Sequence, residues 1–171
     1  MDHISVEVAQ DHIESLTRVR QPIAALEELI WNALDADATN IEVRLTQNQL
    51  FGLERIVVTD NGHGIHRDNW KTAFGKLGGS PKLNMTETSG GRKIHGKAGR
   101  GRFKAFGLGK KVTWRSRFCV GGTCRQFEII GNIQAIRDFA ASEAISLTNG
   151  TSGVSVEIAD IEKNFSSLLN N

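Results

Sequence analysis

The sequence predicts an α+β fold, with helices packed on one face of a mixed sheet. Three observations point there. Between Pro22 and Leu34, the residues Ile23, Leu26, Leu29, Ile30, Ala33 and Leu34 recur at helical spacing. Several short stretches, among them "LERIVVTD", "KKVTWRSRF" and "GVSVEIAD", alternate apolar and polar residues with the period of a half-buried strand. No repeat or linker divides the 171 residues, so one domain with one core is expected.

Taken in order, "ISVEV" alternates as an edge strand and "DHIESLTR" reads as helical. Pro22, suited to a first helical turn, opens the main helix. "NIEVRLTQ" follows as a strand, and after "NQLFG" the strand "LERIVVTD" runs straight into "NGHGI". Residues 66 to 80 read as a helix ending in "GKLGGS", and "PKLNMTETSGGRK" is polar, irregular and expected to be mobile. "GKAGRGRFKAFGLG" starts with glycines and becomes a short helix. "KKVTWRSRF" and "CRQFEIIG" form a hairpin with Gly121-Gly122 as its two-residue turn. That turn sets Cys119 opposite Cys124 and leaves a cross-strand disulfide geometrically open, but two free thiols are the expectation in a reducing cytosol. "NIQAIRDFAASEAIS" fits either strand or helix, "GVSVEIAD" is a last strand, and "IEKNFSSLLNN" a trailing helix.

The composition is that of a globular protein, 39% hydrophobic and 23% charged, with 18 glycines against two prolines. A net charge of +2 carries no nucleic-acid signal by itself. No apolar run is long enough to span a bilayer, and "MDHISVEVAQ" has neither the basic start nor the apolar centre of a secretion signal, so a cytoplasmic protein is expected.

Three stretches carry residues suited to chemistry. In the main helix, Glu28 and Asn32 are four apart and project from one face, which Asp35 and Ala36 are expected to continue. A solvated face is the plain alternative. In "VVTDNGHGI" a strand ends in Asp60, followed by Gly62 and Gly64. Such a carboxylate can accept from the amino group of a flat heterocycle while the glycines let the ring approach the backbone. An ordinary Asp-Asn-Gly turn is the alternative. His63 and His66 are read as surface histidines. In "HGKAGRGRFKAFG", Gly96, Gly99 and Gly101 precede a helix-capable segment whose free N–H groups suit an anion, with Lys97, Arg100 and Arg102 adding charge. The spacing matches neither a P-loop nor a dinucleotide fingerprint, where Lys104 stands in the third glycine's place. About ten Lys and Arg without an acid between Arg92 and Arg117 could also serve a nucleic acid.

In this order, Glu-x-x-x-Asn on a helix, Asp-x-Gly-x-Gly, a polar lid and a glycine-rich helix start resemble the GHKL ATPases. That family includes DNA gyrase B, the ninety-kilodalton heat-shock chaperone, histidine kinases and MutL, with the MORC proteins as relatives. The resemblance covers roughly residues 22 to 160 and is nearest to the MutL and MORC side. It implies a two-layer sandwich of Bergerat type that binds ATP with magnesium. Asn32 would be the metal ligand and touch the nucleotide, and Glu28 the general base. Asp60 would hold the adenine amino group, with Gly62, Gly64 and Ile65 beside the ring and Ala36 packed near it. Gly96, Lys97, Ala98, Gly99, Arg100, Gly101 and Arg102 would wrap the phosphates. The lid from Gly78 to Lys93, Lys82 included, would close over ATP.

The resemblance also implies slow hydrolysis in isolation, an ATP-dependent homodimer, and an N-terminal place in a longer protein, since relatives continue into a second domain that often carries a catalytic lysine. Three departures stand out. Relatives have Gly-Thr before the last strand, where this sequence offers Thr151 or, in register, Val154. Trp31 beside Asn32 is unusual. No second domain follows in the sequence. Two other functions stay open: the catalytic domain of a protein histidine kinase, and a nucleic-acid-binding module with a degenerate nucleotide pocket.

Overall fold

The computed structural model describes residues 1–5, 21–75, 86–95, 101–162 and 165–169. Among the described residues, eight strands form one sheet. They are β1 (Asp2–Ser5), β2 (Ile41–Gln47), β3 (Leu53–Asp60), β4 (Lys111–Val120), β5 (Thr123–Asn132), β6 (Asp138–Ala141), β7 (Ile145–Leu147) and β8 (Gly153–Ala159). Their order is β1-β6-β5-β4-β8-β3-β2, with β7 also pairing β5. The expected two-layer α+β arrangement forms, and every pairing among the described strands is antiparallel.

The helices among the described residues are α1 (Pro22–Leu34), α2 (Trp70–Gly75), α3 (Gly101–Lys104) and α4 (Ser166–Leu169). Alternation along the strands sends Ile56 and Val58 of β3, Val112 and Trp114 of β4, Phe127 and Ile129 of β5, and Val156 and Ile158 of β8 into the core. Ala25 and Leu29 of α1, Trp70 and Phe74 of α2, and Phe103 of α3 close it from the helical layer. Phe139 on β6 joins the two layers, edge-on to Phe74 at 5.3 Å and to Phe103 at 5.9 Å.

Four local expectations are refined. β1 begins at Asp2 rather than Ile4 and pairs with β6, while "DHIESLTR" lies outside the described residues. The helix expected over 66 to 80 is a 3₁₀ turn at Arg67–Asn69 followed by α2 to Gly75, with residues 76–85 outside the described part. "NIQAIRDFAASEAIS" resolves into a 3₁₀ turn and two short strands. Phe139 and Ala141 alternate inward there, and β5 offers an edge to pair with. Cys119 and Cys124 form a disulfide, against the expectation of free thiols. The β4–β5 register sets them directly opposite each other, one pair back from the Gly121-Gly122 turn.

Candidate nucleotide site

The site grows from the C-terminal end of α1. The Ala38 N–H bonds the Ala33 carbonyl at 3.1 Å and the Asp37 N–H bonds the Leu34 carbonyl at 3.0 Å. This paired closure needs a left-handed residue, and Asp37 supplies it with φ 59°. Asp and Asn tolerate that conformation better than most residues because their short side chains bond locally. The closure turns the Asp37 carboxylate toward residues 86–95. There it accepts from the Thr88 hydroxyl and from the Gly90 N–H, the latter at 2.9 Å. The Thr88 hydrogen bond holds the Asp37 carboxyl below its ordinary value.

Three further contacts fasten the same strap. Asp35 is 5% exposed and accepts from the His95 N–H at 2.9 Å. Arg92 donates to the Ala38 carbonyl at 2.6 Å. The Trp31 indole stacks on the His95 imidazole, with ring centroids 3.9 Å apart. Two expectations are refined here. Asp35, one helical turn beyond Asn32, is buried against the strap rather than solvated. And the part of the expected mobile lid from residue 86 to Lys93 is tied down, because its Thr88 and Gly90 donors meet the Asp37 carboxylate more than fifty residues away. Of the lid's remainder, Lys82 lies outside the described residues.

Asp60 ends β3, only 8% exposed. Its Oδ1 accepts from the Gly62 N–H at 2.8 Å and from the Val154 N–H at 3.2 Å. Both described bonds fall on Oδ1, so Oδ2 is the oxygen a ligand could use. Burial pushes the Asp60 carboxyl above its ordinary value, and the two N–H donors oppose that shift. Val154, not Thr151, is the residue of the last strand that reaches Asp60, and it does so through its backbone.

Backbone contacts set the glycines after Asp60. A Cβ at Gly62 would stand 2.6 Å from the Ala36 carbonyl oxygen, and one at Gly64, where φ is 74°, would stand 2.1 Å from that of Arg117. These glycines are required by protein packing, whatever ring lies nearby. Ala36 also accepts from the His63 N–H at 3.0 Å, so the end of α1 is bonded to the loop after β3. Ile65 is held through its own backbone. Ser116 accepts from the Ile65 N–H at 2.7 Å and donates to the Ile65 carbonyl at 2.9 Å.

Glu28 and Asn32 are both half-buried on α1. Glu28 is ion-paired with Lys104 at the end of α3. Gly101 and Arg102 belong to α3, while Gly96, Lys97, Ala98, Gly99 and Arg100 lie outside the described residues. The site thus gathers on α1 from three directions: Ala36 meets Gly62, Asp35 and Trp31 meet the strap, and Glu28 meets Lys104. Among the described residues, no three His, Cys, Asp or Glu side chains converge as a metal cage. His66 lies beside Phe118, ring centroids 5.2 Å apart.

The family model for the histidine kinase-, DNA gyrase B-, and HSP90-like ATPases matches residues 20–152. This chain belongs to that ATPase family. The GHKL domain is similar to the DNA mismatch repair protein MutL of Herminiimonas arsenicoxydans, 30% identical over 84% of this chain and 22% of that protein. It is also similar to MutL of Thiobacillus denitrificans, 52% identical over 33% of this chain and 9% of that protein. For MutL of a Janthinobacterium species the identity is 42%, over 40% and 11%. The chain spans less than a quarter of the length of these relatives.

Sequence reasoning missed several residues that hold this GHKL site together. Asp37 and His95 left no local signal, because their partners are remote. Asn61 accepts at Oδ1 from the Thr39 and Asn40 N–H groups, each at 2.8 Å, and so binds the loop after α1 to the end of β3. Ser116 did leave a signal, as a lone hydroxyl at an inward position between Trp114 and Phe118. The basic run from Arg92 to Arg117 is divided in the fold. Lys104, Lys110 and Arg115 pair with Glu28, Glu162 and Glu128, and Arg92 with a carbonyl. No helix among the described residues is long and apolar enough to cross a membrane.

Proposed function

We propose that this chain binds ATP with magnesium beside the C-terminal half of α1 and hydrolyses it, slowly when alone. In the whole protein it would serve as one half of a nucleotide-gated clamp that pairs with a second copy. The observation that carries this reading is Asp60. A buried carboxylate with one oxygen committed to two backbone N–H groups has the other left for an amino donor, and desolvation makes it a demanding acceptor. An adenine amino group answers that demand.

The donor set suits the metal. Magnesium favours a few protein oxygens with phosphates and water rather than a cage, and the amide of Asn32 offers one such oxygen. Bound there, the ion would supply charge neutralisation at the phosphates. Asn32 links helix to phosphates, and Glu28, one turn earlier, orients and deprotonates the attacking water. Gly96 to Arg102 would enclose the phosphate chain. The strap across Asp35 and Asp37 limits solvent at this end of α1. Binding of nucleic acid as the chief function is less well supported, since acids from other elements neutralise several of the basic side chains that would form its surface.

Two variants test the reading. Glu28→Ala should still bind ATP, while phosphate release falls about 10²–10⁴-fold. Asn32→Ala should lose both magnesium-dependent binding and turnover. Binding is read by calorimetry and turnover by phosphate release under the same conditions. Hydrolysis at the parent rate in Glu28→Ala would return that residue to a solvated face, and phosphotransfer to an added histidine domain would favour a kinase.

A further inference from the structure

Lys104 and Glu28 are 76 residues apart, yet the Lys104 ammonium is bonded to Oε1 of Glu28. Their side chains are 36% and 28% exposed, so the pair is neither a fully solvated surface contact nor a buried one. Lys104 is the last residue of α3, directly after Phe103, which is completely buried and packs edge-on against Phe139. The backbone that carries the ammonium is therefore anchored in the core. Glu28 has the opposite need. A Glu side chain turns about three bonds, and a base must hold one oxygen at a fixed point.

We propose that Lys104 is the positioning residue for Glu28. This rests on the reading of Glu28 as general base. The ammonium fixes Oε1 through a charge-assisted bond, which leaves Oε2 to face the attacking water. In the step itself, the water oxygen bonds to the γ-phosphorus and its proton passes to Oε2. The bond from that phosphorus to the β–γ bridging oxygen breaks, and ADP and phosphate leave. Lys104 takes no proton and touches no reacting atom. It also joins two parts of the machinery, because α3 carries the last of the expected phosphate-wrapping residues, Gly101 and Arg102, and finishes on the base.

The test uses Lys104→Met, Lys104→Arg, Glu28→Gln and the double variant Glu28→Gln/Lys104→Met in the whole chain. ATP affinity, single-turnover hydrolysis and thermal unfolding are measured for each. Lys104→Met should lower the hydrolysis rate about 10–100-fold, the scale of an ångström-sized misplacement, with ATP affinity within about twofold of the parent. Lys104→Arg should restore most of the rate, because it keeps the cation. On the Glu28→Gln background, Lys104→Met should have no further effect. Four results with Lys104→Met would overturn the proposal: ATP affinity falling as far as the rate, which makes Lys104 a phosphate ligand; a faster rate, which makes the pair a latch; an equal loss on both backgrounds, which makes it structural; or a parent rate. The last, with Glu28→Gln inactive, removes Lys104 alone, whereas a Glu28→Gln variant at the parent rate removes the base and its positioner together.

Discussion

The indole of Trp31 lies flat on the imidazole of His95, with ring planes 12° from parallel. Trp31 adjoins Asn32 on α1, and His95 ends the described part of the strap, so this contact joins the turn of α1 that carries the proposed metal-binding residue to the strap. It accounts for an aromatic residue that has no reason in the helix alone, since Trp31 is 39% exposed.

Removing the stack should loosen the strap without unfolding the domain. Aromatic pairs contribute about 0.5–1.5 kcal/mol beyond burial, so His95→Ala should open residues 86–95 to protease roughly 2- to 10-fold faster. Limited proteolysis followed by mass spectrometry reads the rate at each peptide bond. Unchanged cutting there would mean that Asp35 and Asp37 hold the strap without the rings.

The strap should also weaken in acid. The Thr88 hydrogen bond depresses the folded-state pKa of Asp37, so its contribution is complete above the ordinary carboxylate value and is lost as pH falls through the lower folded value. Hydrogen exchange at Gly90 should accelerate as pH drops through that window, beyond the intrinsic change in exchange rate. Asp37→Asn should remove the extra acceleration.

Asp60 has the reverse sign. Burial raises its pKa in the free protein, and an amino donor on Oδ2 would favour the ionised form and lower it again. Between those two values, nucleotide binding should release a proton, and affinity should fall as pH falls through the raised one. Calorimetry in buffers of different ionisation enthalpy counts the proton. Asp60→Asn should abolish the release and weaken ATP by about 1–3 kcal/mol. A release that persists in Asp60→Asn would place the titrating group elsewhere.

Ser116 is completely buried and makes two bonds to the backbone of Ile65. Ser116→Ala leaves the part-buried Ile65 N–H and carbonyl without that partner, at a cost of about 1–3 kcal/mol in unfolding free energy. Denaturant titration measures it. Nucleotide affinity should fall as well, since the loop from Gly62 to Ile65 loses its anchor on β4.

Much of this protein was determined by local sequence. Helical spacing from Pro22 placed α1, and alternation placed β3, β4, β5 and β8 close to their observed bounds. Glu28, Asn32 and Asp60, the residues of the proposed chemistry, could be singled out because their pattern lies within one element or at its end. What only the tertiary structure decided was who meets whom. Asp37 turns toward Thr88 through a left-handed helix closure, Val154 rather than Thr151 reaches Asp60, and Lys104 lies on Glu28. Each of those pairs spans more than fifty residues. Hydrogen bonds and ion pairs act over a few ångströms, so a sequence pattern can show that a donor or acceptor is present, but only the packing of the two layers sets which groups come within reach.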